Sequence, residues 1–377
     1  VQAKMVSGEE NICSKNGRCE CKTRLDGKVV IITGGNSGIG FETARALAPR
    51  GCKIILACRN EAKVKESVKL LLAEHPESDI EYVIIDLNSL DSVKKCAEEV
   101  MEKFDKIDIL INNAGIITTP RLTDDGFDIH FQANHLGHFL LTNLLLDRIK
   151  RSDQGRIINV SSHAHYGGYA DWNHMDNIRS FAWLAYSNAK LYNILFTKAL
   201  ASKLKGTNVT SNSLHPGVIK TNFASELGNR STVWKAIGFT TRPFLSPFLL
   251  TPEQGAETSI HLAVCPQLSA VTGKYFSSCK VVKSSPASHC EANIEMFTKA
   301  LASKLKGTNV TSNSLHPGVI KTNVASELRN RSMKWKAIGF ATRPILNQFR
   351  LTPEQGAQTT IHLAVCPQLS AVTGKYF

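Results

Sequence analysis

No run of eighteen apolar residues occurs anywhere in this 377-residue chain, so no membrane-spanning helix is written into it. Aromatic residues are sparse at 7%, and none form the motif that reads RNA, which makes nucleic-acid binding a weak reading. Acidic residues are scarce in one region only. The net charge is +13, of which residues 1–276 carry +4 and residues 277–377 carry +9, so the basic character belongs to the tail. Histidine is missing near Cys13, Cys19 and Cys21 in the sequence. That cysteine cluster lacks a fourth donor, and no metal site is expected there.

The chain holds ten cysteines, in a pattern that fits reduced thiols. Cys52 and Cys58 flank an apolar strand, and Cys265 and Cys366 are one position in two copies of a segment. A cytosol-facing compartment follows, either the cytoplasm or the cytosolic surface of a membrane such as the endoplasmic reticulum, rather than secretion. Glycosylation sequons begin at Asn159, Asn208 and Asn229. Two of them begin or sit in expected core strands and so do not argue for export.

A repeat dominates the second half. Residues 196–276 return as residues 297–377 at a constant offset of 101, with 70 of 81 positions identical. Ahead of it, short apolar runs alternate with helical periodicity. Strands are expected at 28–33, 53–57, 80–86, 107–111, 156–161, 209–214 and 273–276. Helices are expected at 39–50, to about 75, at 89–104, 127–150, 181–204 and 253–264. Strands that are apolar throughout and alternate with helices imply a doubly wound α/β fold of Rossmann type, its parallel sheet covered on both faces. The expected organisation is a polar leader over 1–25, one α/β domain over 26–276, a connector over 277–296 and the duplicated copy over 297–377.

Chemistry concentrates at the strand ends. The first strand runs into Gly34, Asn36, Ser37, Gly38, Ile39 and Gly40. Glycines there let the backbone turn sharply beside a pyrophosphate, and the helix start presents N–H groups to it. The bland alternative is a plain glycine turn. The second strand ends at Cys58 and Arg59 with no acidic residue. A carboxylate there would favour NAD by binding the ribose 2′-hydroxyl, whereas an arginine suits a 2′-phosphate, so NADP is preferred over NAD. Asp86 and Leu87 close the third strand. Asn113, Ala114 and Gly115 close the fourth, where small residues let a cofactor cross.

Tyr186 and Lys190 stand four residues apart on an expected helix, so their polar heads share one face. The ammonium there is expected to lower the phenol's pKa. Ser162 is preferred to Ser161 because adjacent strand residues face opposite ways. Taken alone, Asn134 reads equally well as a helix asparagine satisfied by backbone groups.

Together, residues 33–40 and 112–115, Asn134, Ser162, Tyr186 with Lys190, and His215, Pro216 and Gly217 resemble the short-chain dehydrogenase/reductase family. Within it, residues 57–59, 134–139 and 159–164 resemble the retinol dehydrogenases. The resemblance spans roughly residues 26–276. It implies a catalytic group in which Tyr186 is the acid/base and Lys190 lowers its pKa and binds the nicotinamide ribose. Ser162 hydrogen-bonds the reacting oxygen, and Asn134 helps relay protons through water. Pro216 and Gly217 join the cofactor-binding set.

Residues 218–251 form a long apolar excursion punctuated by proline. It reads as a lid over an apolar alcohol or carbonyl, retinol or retinal by the resemblance, or as a surface that dips into a membrane. The alternative is a small packed subdomain. The second copy lacks the glycine turn, the serine strand, the tyrosine and the lysine, so it is no second active site. It is expected to be peripheral or partly disordered, or to exchange with the first copy in a swapped homodimer. The competing functional reading is an inactive nucleotide-binding or scaffold protein.

Overall fold

The structure is a computed structural model that describes residues 14–169, 182–219 and 249–289, with two short strands at Val319–Ile320 and Arg350–Leu351. The interior of the 218–251 excursion and most of the second copy lie outside the described residues, as do the lid, membrane-surface and swapped-dimer readings placed there. The chain divides into two units, Val1–Asn293 and Ile294–Phe377.

In the first unit the strands are β1 (Ser14–Lys15), β2 (Arg18–Cys19), β3 (Val29–Thr33), β4 (Lys53–Cys58), β5 (Asp79–Ile84) and β6 (Ile109–Asn112). They continue with β7 (Gly155–Val160), β8 (Val209–His215), β9 (Tyr275–Ser277) and β10 (Lys280–Val282). The helices are α1 (Gly38–Leu47), α2 (Glu61–Glu74), α3 (Leu90–Lys103), the single turn α4 (Ile129–Phe131), α5 (Gly137–Lys150), α6 (Ala182–Lys203) and α7 (Pro252–Val264).

The sheet runs β5-β4-β3-β6-β7-β8-β9 with every pair parallel, and β10 adds antiparallel to β9. Strand order reverses between β3 and β6. Outside the carboxyl ends of those two strands lies the crevice where open α/β sheets bind ligands. β3 is buried from Val30 to Thr33 and β6 throughout, as expected for strands with helices on both faces. One face packs Val30, Ile32, Ile54 and Leu56 against Ala44 and Leu47 of α1, Val64 and Leu71 of α2, and Ile260 of α7. A fully buried leucine such as Leu56 contributes about 1.5–3 kcal/mol through its burial.

Local chemistry sets the helix limits. Asn60 and Ser89 cap α2 and α3 by accepting the N–H of Lys63 and Ser92. Thr251 opens α7 in a capping box with Gln254, and Pro252 takes the first turn. Before α5 the chain makes a wide π turn over Gln132–Leu136, which contains Asn134.

Three sequence readings are extended by the structure. The leader is not wholly irregular: β1 and β2 form a hairpin, and Cys21 and Leu25 are buried in the main core. The connector continues as β10 and a 3₁₀ turn at Pro286–His289. Finally, the Val319–Ile320 strand pairs in parallel with Arg350–Leu351. Ile219 and Leu250, at the equivalent positions of the first copy, form the same parallel bridge. No helix among the described residues is long and apolar enough to cross a membrane.

Candidate active site

The glycine turn leaves β3 with Gly34 at φ 66° and Gly38 at φ 55°, backbone that side-chain-bearing residues adopt at a cost. A Cβ on Gly40 would run into the Gly34 carbonyl and the Asn113 side chain, so α1 starts tight against the end of β6. Ser37 precedes α1 without a side-chain cap, which leaves the first helical N–H groups facing outward.

Thr33, fully buried at the end of β3, ties the two halves of the crevice together. Its hydroxyl oxygen accepts the N–H of Asn113 at 2.9 Å and of Ala114 at 3.0 Å, and meets Nε2 of His138 at 2.8 Å. Asn113 in turn donates to the Thr33 carbonyl at 2.8 Å. This arrangement holds residues 113–115 beside the glycine turn.

Arg59 stands exposed, one residue beyond β4, and makes no ion pair or hydrogen bond with the described residues. It sits at the same sheet edge as Gly34, since Thr33 is in register with Ala57. Half-buried Asp86 accepts the backbone and side-chain N–H of Asn88, both at 2.9 Å. Leu87 packs on Gly137, where a Cβ would fall 2.9 Å from it. Pro216 and Gly217 follow β8, and Gly217 has φ 92°.

Ser161 and Ser162 face opposite ways at the end of β7. Ser161 donates its hydroxyl to the Lys190 carbonyl at 2.7 Å. Ser162 begins a 3₁₀ turn, accepts the Ala164 N–H at 3.2 Å, and hydrogen-bonds the Tyr186 hydroxyl. The Tyr186 ring packs with Ile117 and Ala164, and the Lys190 ammonium lies 5.5 Å from its centre. Serine, tyrosine and lysine therefore converge at the carboxyl edge of the sheet.

The expected direction of the phenol's pKa is not what the fold produces. Burial pushes Tyr186 up to about 12, while its hydrogen bond with Ser162 pulls it down. Burial also pushes Lys190 down to about 7. Loss of water outweighs charge proximity at both groups, so the phenol keeps its proton at neutral pH and can donate it.

Asn134 is fully buried, and backbone groups take both ends of its side chain. It accepts from Ile116 N at 2.8 Å and donates to Ile116 O at 3.0 Å and His130 O at 2.9 Å. What it turns toward the other groups is its main-chain carbonyl. Asn193 donates to that carbonyl at 3.1 Å and to the Val160 carbonyl at 3.3 Å, and Lys190 Nζ donates to Val160 O at 2.9 Å. A polar path thus runs from the π turn through Asn193 to Lys190. Sequence reasoning overlooked Asn193, although its place three residues after Lys190 on one helix was a usable signal. It also overlooked His135, whose ring meets Asn193 Oδ1 at 2.8 Å and which burial holds neutral, at about 4.

Residues 28–231 match the short chain dehydrogenase family. Human retinol dehydrogenase 13 is 42% identical over 278 residues, covering 73% of this chain and 83% of that protein. Human retinol dehydrogenase 12 is 40% identical over 272 residues, covering 72% and 84%. Among solved structures, a protein of Mycobacterium paratuberculosis superposes with TM-score 0.60 at 29% identity, covering 75% of this chain and 95% of that one. Actinorhodin polyketide ketoreductase, solved with NADPH, superposes with TM-score 0.53 at 25% identity, covering 66% and 95%. The chain belongs to the short-chain dehydrogenase family of nicotinamide-nucleotide-dependent oxidoreductases.

Proposed function

We propose that this oxidoreductase interconverts a bulky apolar alcohol and its aldehyde or ketone, with retinol and retinal as the representative pair, and that it works with NADP(H). The observation that carries the reading is the convergence of Ser162, Tyr186 and Lys190 at the sheet edge that also holds the glycine turn. The retinol dehydrogenases among its relatives support the substrate class, as does the apolar composition of 218–251.

The crevice fits a dinucleotide. Gly34 and Gly40 let the turn pack closely on residues 113–114, and Gly38 opens the uncapped start of α1, where the backbone N–H groups of Ser37 and Ile39, with Asn36 beside them, suit a pyrophosphate. Arg59, unpaired among the described residues, suits a 2′-phosphate and supports NADP over NAD. Asp86 and Leu87 border the adenine position. Asn113, Ala114 and Gly115 form the floor, and Pro216 and Gly217 close the nicotinamide end. Bound NADP(H) supplies or accepts the hydride.

The protein's own residues handle the proton and the charge. Ser162 holds the substrate oxygen, and Tyr186 delivers its proton to that oxygen in reduction or withdraws one in oxidation. Lys190 orients the ribose and stabilises the phenolate that forms. Asn134 acts through its carbonyl, passing through Asn193 toward Lys190, while its side chain pins Ile116.

The test is a titration of the full chain with NADPH and NADH, followed by turnover of retinal. NADPH should bind at least tenfold more tightly, and Arg59→Glu should reverse that order. Equal affinities in both proteins would remove the NADP assignment. Binding without turnover of any apolar aldehyde would instead favour the scaffold reading.

A further inference from the structure

The cysteines of the leader lack a neighbouring histidine only along the sequence. In the fold the hairpin β1–β2 lies against α7, with Ser14 opposite Cys19 and Lys15 opposite Arg18. Cys19 and Cys21 are alternate residues of an extended stretch and point the same way. His261, near the end of α7, comes up to meet them. One donor atom from each residue, two sulfurs and a ring nitrogen, lies within 4.8 Å of both others.

His261 supplies the second observation. It is 0% exposed, yet among the described residues neither Nδ1 nor Nε2 has a hydrogen-bond partner. A neutral imidazole carries one donor and one acceptor, and burying both unmet is costly. Other buried histidines of this fold find partners, such as His165, whose Nε2 accepts the Ser285 N–H at 3.0 Å. An imidazole buried without partners beside two thiols is in the state a metal ligand requires.

We propose that Cys19, Cys21 and His261 hold a zinc ion that clips the amino-terminal hairpin onto α7. Two sulfurs and one imidazole nitrogen are donors this ion favours, and Zn–S and Zn–N bonds of roughly 2.3 and 2.0 Å fit such a cluster. Tetrahedral ligands at those lengths stand about 3.4–3.8 Å apart, so the cluster needs only a small inward adjustment. Coordination removes the proton from each thiol and changes no oxidation state; two thiolates and one Zn²⁺ sum to zero charge, which suits a buried place.

Two further donors border the cluster and are candidates for the fourth position. The Glu257 carboxylate accepts the Cys19 N–H at 2.8 Å. The thiol of Cys279, itself buried, donates to the carbonyl of Gly17 in the hairpin turn at 3.3 Å. The second copy repeats the histidine as His362 but carries Gln358 where the first has Glu257, and no leader cysteines precede it. Among the described residues this is one site.

The experiment uses the full chain under a thiol reductant, stripped with a chelator and titrated first with Co²⁺ and then with Zn²⁺. The expected result is thiolate-to-cobalt charge-transfer absorption with the visible bands of a tetrahedral site, saturating at one equivalent and bleached by zinc. Zinc should also raise the melting temperature of the wild-type chain. Cys19→Ser, Cys21→Ser and His261→Gln should each weaken zinc at least tenfold, whereas Cys96→Ser, buried on α3, should leave affinity unchanged. If a variant fails to fold, the wild-type titration and melting shift decide. A wild-type chain with no thiolate–cobalt band, or no melting shift with zinc, overturns the proposal. So does undiminished binding in the Cys19→Ser/Cys21→Ser double variant.

Discussion

Lys190 is 3% exposed and hydrogen-bonds one backbone carbonyl, so its charge is held against a large loss of hydration. Its folded pKa falls from 10.5 to about 7. Below pH 7 the ammonium is charged in both folded and unfolded chains, and folding carries the whole penalty. Between about 7 and 10.5 the folded chain sheds the proton first, and the penalty shrinks as pH rises. Lys190→Met should therefore raise the melting temperature most below pH 7, with the gain fading toward pH 10, while turnover is lost. A melting series at several pH values checks this, and a gain that grows with pH would contradict it. Thr33 makes the opposite case. Thr33→Val removes the acceptor for two half-buried N–H groups, each costing up to about 1–3 kcal/mol when left unmet. Chemical denaturation should show a loss of roughly 2–4 kcal/mol, and nucleotide binding should weaken because residues 113–115 lose their anchor.

Elements were the most legible level. The seven parallel strands and the six long helices were readable from apolar runs and helical periodicity, because each element buries a continuous face against a neighbour. Glycine spacing located the crevice, since glycine takes φ 66° at Gly34 without the strain a side chain brings and leaves room for the close packing at Gly40. Serine parity was readable too, because a strand sends Ser161 and Ser162 to opposite faces. What stayed hidden depends on long-range burial. The upward shift at Tyr186, the occupied side chain of Asn134 and the approach of His261 to Cys19 and Cys21 arise from contacts between distant segments. β10 and the leader hairpin were missed because strands of two or three residues carry no periodic signal. Gly34→Ala tests the element that matters most. With φ 66° and Ala114 at 3.0 Å from the added Cβ, it should weaken NADPH binding at least tenfold in a fluorescence titration.

At the scale of the whole molecule, every described residue of the proposed site lies within Val1–Asn293, as does the complete eight-stranded sheet. The duplicated residues 297–377 add no glycine turn, serine strand, tyrosine or lysine. A chain ending at residue 293 should therefore keep NADPH affinity and retinal turnover within about twofold of the full chain, a difference of roughly 0.4 kcal/mol. A large loss would assign the second copy a part in the active unit. Tyr186→Phe probes the proposed catalytic tyrosine directly, because the substitution removes a single hydroxyl. NADPH titration and retinal reduction should be measured side by side on the full-length wild type and this variant. NADPH affinity should be unchanged in the variant and turnover reduced at least a thousandfold, about 4 kcal/mol of transition-state stabilisation. Retention of wild-type turnover by Tyr186→Phe would contradict that role.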